Sequence, residues 1–386
     1  MKITFYSNYL NHHQIPFCNE IYKLLGEDYK FVATEPMEQE RVKLGWGLSE
    51  HYPYEIRSYE NEYTYNQCLK LGMKSDVVIT GSAPDIFIKE RLKHNQLTFR
   101  YSERFFKQGT WRLMNPRLLG SMLKHHTRYR NKNLYMLCAS AYTARDVSLI
   151  GAYPNKTYKW GYFPEVKKYD VKELYENKKQ EPITLLWCGR FLKCKHPEKA
   201  VLVMKRLKEN GFDCTLDFIG DGPIHEEIRT MVNSLRLDDR IKFLGSMSPN
   251  KVREYMEKAN IYLFTSDRQE GWGAVLNESM NSGCAVVASQ AIGSVPFLIK
   301  HGENGFIYKD DDINDLYSKV KILVKDADLR TKLGANAVRT MEELWNPKVA
   351  AERLVTFCNS LLNEEIIRFK DGPCSKAEII SQKYDN

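Results

Sequence analysis

Short apolar runs rich in β-branched and aromatic residues alternate along this whole chain with longer stretches of helical periodicity. Such runs read as buried parallel strands, which are covered on both faces and so lose the polar alternation of a half-exposed strand. In the first half the expected strands are 3–7, 30–34, 76–81, 97–101, 134–140 and 158–163, with helices at 15–25, 65–74, 85–93, 111–129 and 143–150. A second series follows at 184–188, 215–219, 241–244, 261–265, 285–288 and 305–308. Its helices are 197–209, 224–235 and 250–258, and the end of the chain is helical over 312–325, 329–344 and 349–362. The pattern predicts an α/β chain of two doubly wound, Rossmann-like domains facing each other across a cleft at their strand carboxyl ends. A length of 386 residues exceeds one ordinary core and points the same way. The expected first domain is 1–163, completed by the helix at about 347–365, and the second is 183–346. Between them 164–182, charged and bracketed by prolines, reads as a linker, and 366–386 as a polar tail.

The chemistry concentrates in 259–289. Two apolar runs are joined there by the loop Asp267-Arg268-Gln269-Glu270-Gly271-Trp272-Gly273 and one short helix, which Gly283 closes in a C′-like position. This is a βαβ unit, whose crossover should be right-handed. Gly271 and Gly273 let the backbone approach a ligand closely, and the helix beyond them points its unbonded N–H groups at whatever sits there. Glu270 stands at the strand's carboxyl end and Glu278 about one turn into the helix, so two carboxylates flank an anion site. A ligand with hydroxyls at both ends and phosphates in the middle suits that spacing, and a nucleotide sugar is such a ligand.

Composition narrows the class. Hydrophobic content of 43% with 27% charged residues is that of a globular chain. No apolar run approaches membrane-spanning length, and the opening Met1-Lys-Ile-Thr-Phe-Tyr-Ser7 reads as a strand, not a leader peptide. Nine scattered cysteines without a Cys-x-x-Cys pair suit reduced thiols in a cytoplasmic protein. Of the sequons at Asn155 and Asn277, the second falls inside the expected central helix, which argues against a glycosylated, secreted chain. The net charge of +8 is local: between Lys89 and Lys132 twelve Lys/Arg face two acids, a balance of +10 that leaves the rest of the chain near −2.

The second half resembles the retaining glycosyltransferases of family 4, which have the GT-B architecture. The likeness rests on Gly189-Arg190-Phe-Leu-Lys-Cys-Lys195, Phe218-Ile-Gly220-Asp221-Gly222-Pro223, Phe243-Leu-Gly245, the Glu270-x7-Glu278 motif, and Pro296 followed by Gly302-Glu-Asn-Gly305. It implies that Arg190 and Lys195, beside the strand-end Gly189, bind the donor diphosphate. Glu270 would hold the transferred sugar's hydroxyls, helped by backbone N–H groups of Gly271, Trp272 and Gly273. Glu278 would hold the ribose diol, and Gly220, Asp221 and Gly222 would line the nucleoside. One departure is Phe297, where many members have Glu after the proline. The opening Tyr6-Ser-Asn-Tyr-Leu-Asn-His12-His13-Gln-Ile-Pro16 is similar, more loosely, to bacterial surface-polysaccharide transferases, which would turn His12 and His13 toward an acceptor.

Physical reasoning supports these roles beside the resemblance. Cleaving a sugar–diphosphate bond builds negative charge on the departing phosphate, which two fixed cations and a helix start stabilise without reorganising. No metal is then required, and no Asp-x-Asp pair stands in an obvious metal-binding loop. Other readings stay open at particular residues. Gly220-Asp221-Gly222-Pro223 is first of all a turn. His12 and His13 alone would be exposed loop residues, and Glu103 and Arg104 either touch acceptor or pair with each other. The basic segment is an amphipathic face packed on its own sheet or a surface for anionic lipid, where a lipid-linked acceptor would be found. The expectation is a cytoplasmic transferase, peripheral on the inner membrane face, with a nucleotide sugar and a glycan acceptor and without nucleic acid. The rivals are an epimerase or hydrolase of similar fold and a non-catalytic polyanion-binding protein using the basic segment. A dinucleotide oxidoreductase is disfavoured because no complete Gly-x-Gly-x-x-Gly follows a strand.

Overall fold

Ile3–Ser7 (β1) is buried along its whole length and flanked on both sides by parallel strands, the place an unbroken apolar run has to go. In this computed structural model, which describes residues 1–38, 51–179 and 181–380, it is central to a seven-stranded sheet. Its neighbours are Tyr29–Ala33 (β2), Glu55–Arg57 (β3), Val77–Thr80 (β4), Thr98–Ser102 (β5), Leu134–Cys138 (β6) and Thr157–Lys159 (β7), in the order β3-β2-β1-β4-β5-β6-β7. All these pairings are parallel. The sheet belongs to a unit made of Met1–Glu165 and Trp345–Asn386. Phe357, on the Pro347–Leu362 helix, packs against Phe99 and Tyr158 at ring distances of 5.8 and 4.4 Å.

Val166–Leu344 forms the other unit. Ile183–Cys188 (β8), Cys214–Ile219 (β9), Ile241–Phe243 (β10), Ile261–Phe264 (β11), Ala285–Ser289 (β12) and Phe306–Tyr308 (β13) make a second parallel sheet in the order β10-β9-β8-β11-β12-β13. Trp187, Phe191, Phe218 and Leu263 lie in its buried core. In each unit the strand order reverses once, between β1 and β4 and between β8 and β11. At such a reversal the loops leaving two adjacent strands diverge and open a crevice at the strands' carboxyl ends. This is the doubly wound α/β architecture the alternation predicts, twice over.

Several elements differ from the reading of the sequence. β3 was not expected, because three partly buried residues at a sheet edge carry no periodic signal. The helix anticipated over 111–129 is broken into a 3-10 turn at Thr110–Met114, a helix at Pro116–His125 and a 3-10 turn at Thr127–Tyr129. Pro116 fits only the first turn, and the Asn115 side chain caps it by accepting from the N–H groups of Arg117 and Leu118. Within 164–182 the helix Val171–Asn177 packs into the second unit, where the Lys178 ammonium donates to the carbonyls of Met256 (2.8 Å) and Ala259 (2.6 Å). Beyond 366 the chain runs beside β7: Lys159 N–H donates to Ser375 O at 2.7 Å, and Ala377 N–H to Thr157 O at 3.1 Å. Gln180 and residues 381–386, parts of the expected linker and tail, lie outside the described residues.

Candidate functional site

In the second unit the reversal places the loop after β8 beside the loop after β11. The first loop begins at Gly189, whose N–H donates to Ile219 O at 3.0 Å. Backbone and side-chain bonds then tie the two loops together. Asp267 N–H donates to Cys194 O at 2.9 Å, Thr265 Oγ1 to Lys195 O at 2.7 Å, and the buried Trp187 indole to Thr265 Oγ1 at 2.9 Å. This lattice brings the Lys195 ammonium onto the Glu270 carboxylate as an ion pair, with Ser266 Oγ donating to the same carboxylate oxygen at 3.2 Å. Their side chains remain 21% and 13% exposed, so the pair is reachable from solvent yet largely out of it. Arg190, on the same loop, is exposed and its guanidinium bonds to no described residue.

Glycine is required where the chain leaves β11. Gly273 has a φ of +77°, and a Cβ there would stand 2.4 Å from the Phe264 ring and 3.2 Å from Glu270 Cγ. Trp272, expected in the donor site, turns its indole inward: the ring is fully buried and its N–H donates to Asn277 Oδ1 at 2.9 Å. Only its backbone can serve a ligand. Phe297 packs against that indole at 6.4 Å, which gives the apolar replacement after Pro296 a role in packing. The Val275–Asn281 helix has no side-chain cap at its start, and Gly283 ends it at a φ of +70°.

Glu278 stands partly buried on that helix. Burial pushes its carboxyl up to about 7, and Arg253 opposes the shift. Burial raises the Cys188 thiol at the end of β8, with the charge of Glu278 adding to that rise and that of Lys195 opposing it. Arg253 itself was not foreseen. Its guanidinium, 5% exposed, bonds the Glu278 carbonyl (3.2 Å), the Tyr169 hydroxyl (3.2 Å) and the Asn281 side chain. A buried arginine on an amphipathic helix leaves no mark in sequence periodicity.

The Gly220–Gly222 turn interlocks with the first loop. A Cβ on Gly220 (φ +126°) would lie 2.0 Å from Gly189 O, and one on Gly222 would lie 2.6 Å from Phe191 O. Phe191 N–H donates to Asp221 O at 2.9 Å, while the exposed Asp221 carboxylate accepts from Gly222 N–H at 2.7 Å. Packing of protein on protein therefore accounts for both glycines.

The first unit has its own hollow at its own reversal, a pocket of about 560 Å³ lined by Gln14, Thr80, Arg100, Glu103 and Tyr162 among others. Glu103 is in it, accepting from the Tyr162 hydroxyl at 2.9 Å and paired with Lys107. Arg104 instead faces Asp146 at 3.7 Å and the Tyr142 ring at 5.0 Å, so the two adjacent charges do not pair with each other. His12 and His13 are neither exposed nor in the lining. They stack on each other at 3.8 Å, and His13 lies parallel to the Tyr162 ring at 6.1 Å. Burial pushes His12 down to about 4 and His13 to about 3, so both are neutral near pH 7. Three lining atoms unforeseen from the sequence have no hydrogen-bond partner among the described residues: Gln14 Oε1, Thr80 Oγ1 and Arg100 Nε.

The basic segment divides in two. Phe99, Phe106 and Arg91 are fully buried, and the Arg91 guanidinium is spent on the carbonyls of Gly72, Ser75, Asp76 and Leu97. The helix Pro116–His125 buries none of its residues completely, and Trp111 (65%), Met114 (85%) and Leu123 (41%) are exposed beside the exposed Arg117, Lys124 and Arg128. No helix among the described residues is long and apolar enough to cross a membrane.

Residues 172–340 match the family described as glycosyl transferases group 1. N-acetyl-alpha-D-glucosaminyl L-malate synthase of Bacillus anthracis is 25% identical over 218 residues, covering 55% of this chain and 56% of that protein. The N-acetylgalactosamine-N,N'-diacetylbacillosaminyl-diphospho-undecaprenol 4-alpha-N-acetylgalactosaminyltransferase of Campylobacter jejuni is 28% identical over 171 residues, 44% of this chain and 45% of that one. The chain thus spans about half the length of these relatives. Among solved structures, sucrose-phosphate synthase from Thermosynechococcus elongatus aligns with a TM-score of 0.67 at 16% identity, covering 95% of this chain and all of that one. HepE of Anabaena, solved in complex with UDP, aligns with a TM-score of 0.67 at 13% identity, covering 93% of this chain and 100% of its own. These structural likenesses carry the fold, two parallel α/β sheets of the GT-B kind.

Proposed function

We propose that the chain, whose residues 172–340 match the family described as glycosyl transferases group 1, is a retaining, metal-independent glycosyltransferase. It moves a sugar from a nucleoside diphosphate to a glycan or lipid-linked glycan acceptor in polysaccharide assembly. The observation that carries this reading is the Lys195–Glu270 pair at the strand-order reversal between β8 and β11. A sugar–phosphate bond breaks and a sugar–acceptor bond forms on the same face, and the acceptor's hydroxyl proton passes to the leaving phosphate. Lys195 and Arg190 stabilise the charge that grows on that phosphate, and Glu270 holds the sugar's hydroxyls. Glu278 accepts from the ribose diol. In the first unit, the unpartnered Gln14, Thr80 and Arg100 atoms offer both donors and acceptors to a hydroxyl-rich acceptor.

Two measurements test the reading. A thermal-shift panel of nucleoside diphosphates and their sugars should raise the melting temperature with one base, since a ligand bound only by the folded state stabilises it. The donor so found should yield, by proton NMR, a product whose anomeric configuration matches the donor's. An inverted product rejects retention, and donor turnover without any acceptor supports the epimerase or hydrolase reading instead.

We also propose that the protein works on the cytoplasmic face of a membrane, docked through Trp111, Met114 and Leu123 with Arg117, Lys124 and Arg128 around them. The undecaprenol named in the Campylobacter relative is a lipid acceptor of the kind such docking would reach. Sedimentation with vesicles containing anionic lipid should be strong at low salt, weaken as salt screens the cations, and fall by about thirtyfold or more when Arg117 and Lys124 are both replaced by glutamate, at ~1 kcal/mol per cation lost and more for the reversed charge. Absence of binding at low salt rejects the docking face.

A further inference from the structure

His196 lies between the two loops of the donor crevice and takes no direct part in the transfer step. Its ring bridges the loops: Nδ1 meets the Glu198 carboxylate at 2.6 Å, and Nε2 faces Asp267 Oδ2 at 3.5 Å. Glu198 opens the Pro197–Glu209 helix that follows β8, whereas Asp267 starts the loop after β11 that delivers Glu270 three residues later. The backbone at His196 is left-handed, with φ and ψ of 50° and 53°, although it bears a Cβ and precedes a proline. A residue holds that conformation only where its surroundings over-determine it, and the two carboxylates supply such a hold.

We infer that His196 is a positioning residue of the donor site, a pin that sets the placement of Lys195 against Glu270 by clamping Asp267 to Glu198. This inference rests on the reading of that crevice as a nucleoside-diphosphate-sugar site. The pin acts one residue from Lys195 and, through Asp267, three from Glu270, so a slack bridge lets the Lys195 ammonium stray from the place where it meets a diphosphate, a loss distinct from removing Glu270. Asp267 is fixed in turn by Gln269, whose backbone N–H and side-chain amide donate to it at 2.8 and 3.2 Å.

The charges facing His196 decide its protonation. Asp267 and Glu198 raise the imidazole, while burial and the Lys199 ammonium on the same helix lower it, and the balance is a rise to about 9. Lys199 is itself drawn off toward Asp310 (3.9 Å) and Asp311 (3.3 Å) after β13. Because the folded value lies above the ordinary 6.5, the pin is fully present below about 6.5 and is lost as pH rises through about 9.

The test measures binding of UDP, GDP and ADP to the whole chain by calorimetry across pH, with transfer not required. For whichever diphosphate binds wild type, affinity should drop as pH rises through about 9. His196→Gln and Asp267→Asn should each weaken it about tenfold near neutral pH and abolish that alkaline drop, the double variant being no weaker than either single. His196→Lys, which keeps a cation, should restore neutral-pH affinity and move the drop to higher pH. A diphosphate that binds wild type, His196→Gln and Asp267→Asn equally, with the same alkaline drop, overturns the pin while leaving the donor site standing. If none of the three binds wild type, the donor-site reading falls and the pin with it.

Discussion

Lys195→Ala is expected to lower kcat/KM for sugar transfer by a hundred- to a thousandfold, about what removing one preorganised donor to a developing oxyanion costs. The ammonium sits at the carboxyl ends of two buried strands, held by the Thr265 hydroxyl at its own carbonyl and by Glu270 at its head. A cation fixed before the reaction needs no reorganisation when the phosphate departs. Its worth is greatest where the charge is greatest, so kcat should fall more than KM rises. Glu270→Ala should be as damaging by a different route. It frees Lys195 but removes the carboxylate proposed to grip the moving sugar, so donor sugar affinity should fall while affinity for the bare nucleoside diphosphate is kept or improved. Neither side chain fills the core, and melting temperatures should stay within a few degrees of wild type. Steady-state transfer assays beside calorimetry with the bare diphosphate separate the two. Turnover within about threefold of wild type in either variant would remove the pair from the mechanism, since a lost charge-assisted contact to the reacting group costs far more than that.

Glu278→Gln should make the protein more stable and a poorer binder at the same time. Its carboxyl titrates near 7 in the folded chain against about 4.5 in a solvated one, because burial disfavours the charge more than Arg253 favours it. The folded state therefore holds a proton that the unfolded state has released. This group's contribution to stability is full below about 4.5 and is lost as pH rises through about 7. Glutamine removes the penalty, so the variant's melting temperature should exceed wild type at alkaline pH and match it in acid. Function runs the other way. A carboxylate accepts two ribose hydroxyls where an amide oxygen is weaker, so nucleoside diphosphate affinity should fall about ten- to a hundredfold at alkaline pH, the worth of charged hydrogen bonds. Wild-type affinity should climb as pH passes through about 7, and the climb should vanish in the variant. Paired melting curves and calorimetry across pH read both signs. A variant that is less stable at high pH, or one that keeps the climb, would show that Glu278 is not the diol's partner.

Local chemistry makes the crevice loop of the second unit readable from consecutive residues. Glu270, Gly273 and Gly283 announce a strand, a tight exit and a helix stop within a single 31-residue span, because each demand is met by neighbours in the chain. The twofold α/β alternation is legible for the same reason: strand and helix periodicities are properties of adjacent positions. Pro116 is also visible, and the apolar periodicity running across it does not outweigh its missing N–H, so the helix starts there.

What depends on distance along the chain stays hidden in it. Nothing near Glu278 in sequence says that Arg253 will reach its helix, or that Trp272 will turn inward onto Asn277 and leave only its backbone to a ligand. Composition shows twelve cations between Lys89 and Lys132 but not that Arg91 is enclosed by four carbonyls while Arg117 stands in solvent. His12 and His13 likewise read as exposed loop residues, whereas their packing on each other, and that of His13 against Tyr162, 149 residues further on, leaves both only partly exposed. The sequence by itself determined where strands, turns and the acidic motif fall, since those follow from the bonding options of adjacent residues. Tertiary structure alone decided which charges are buried, which are paired and which face a ligand, since those depend on the dielectric and partners that only packing brings together.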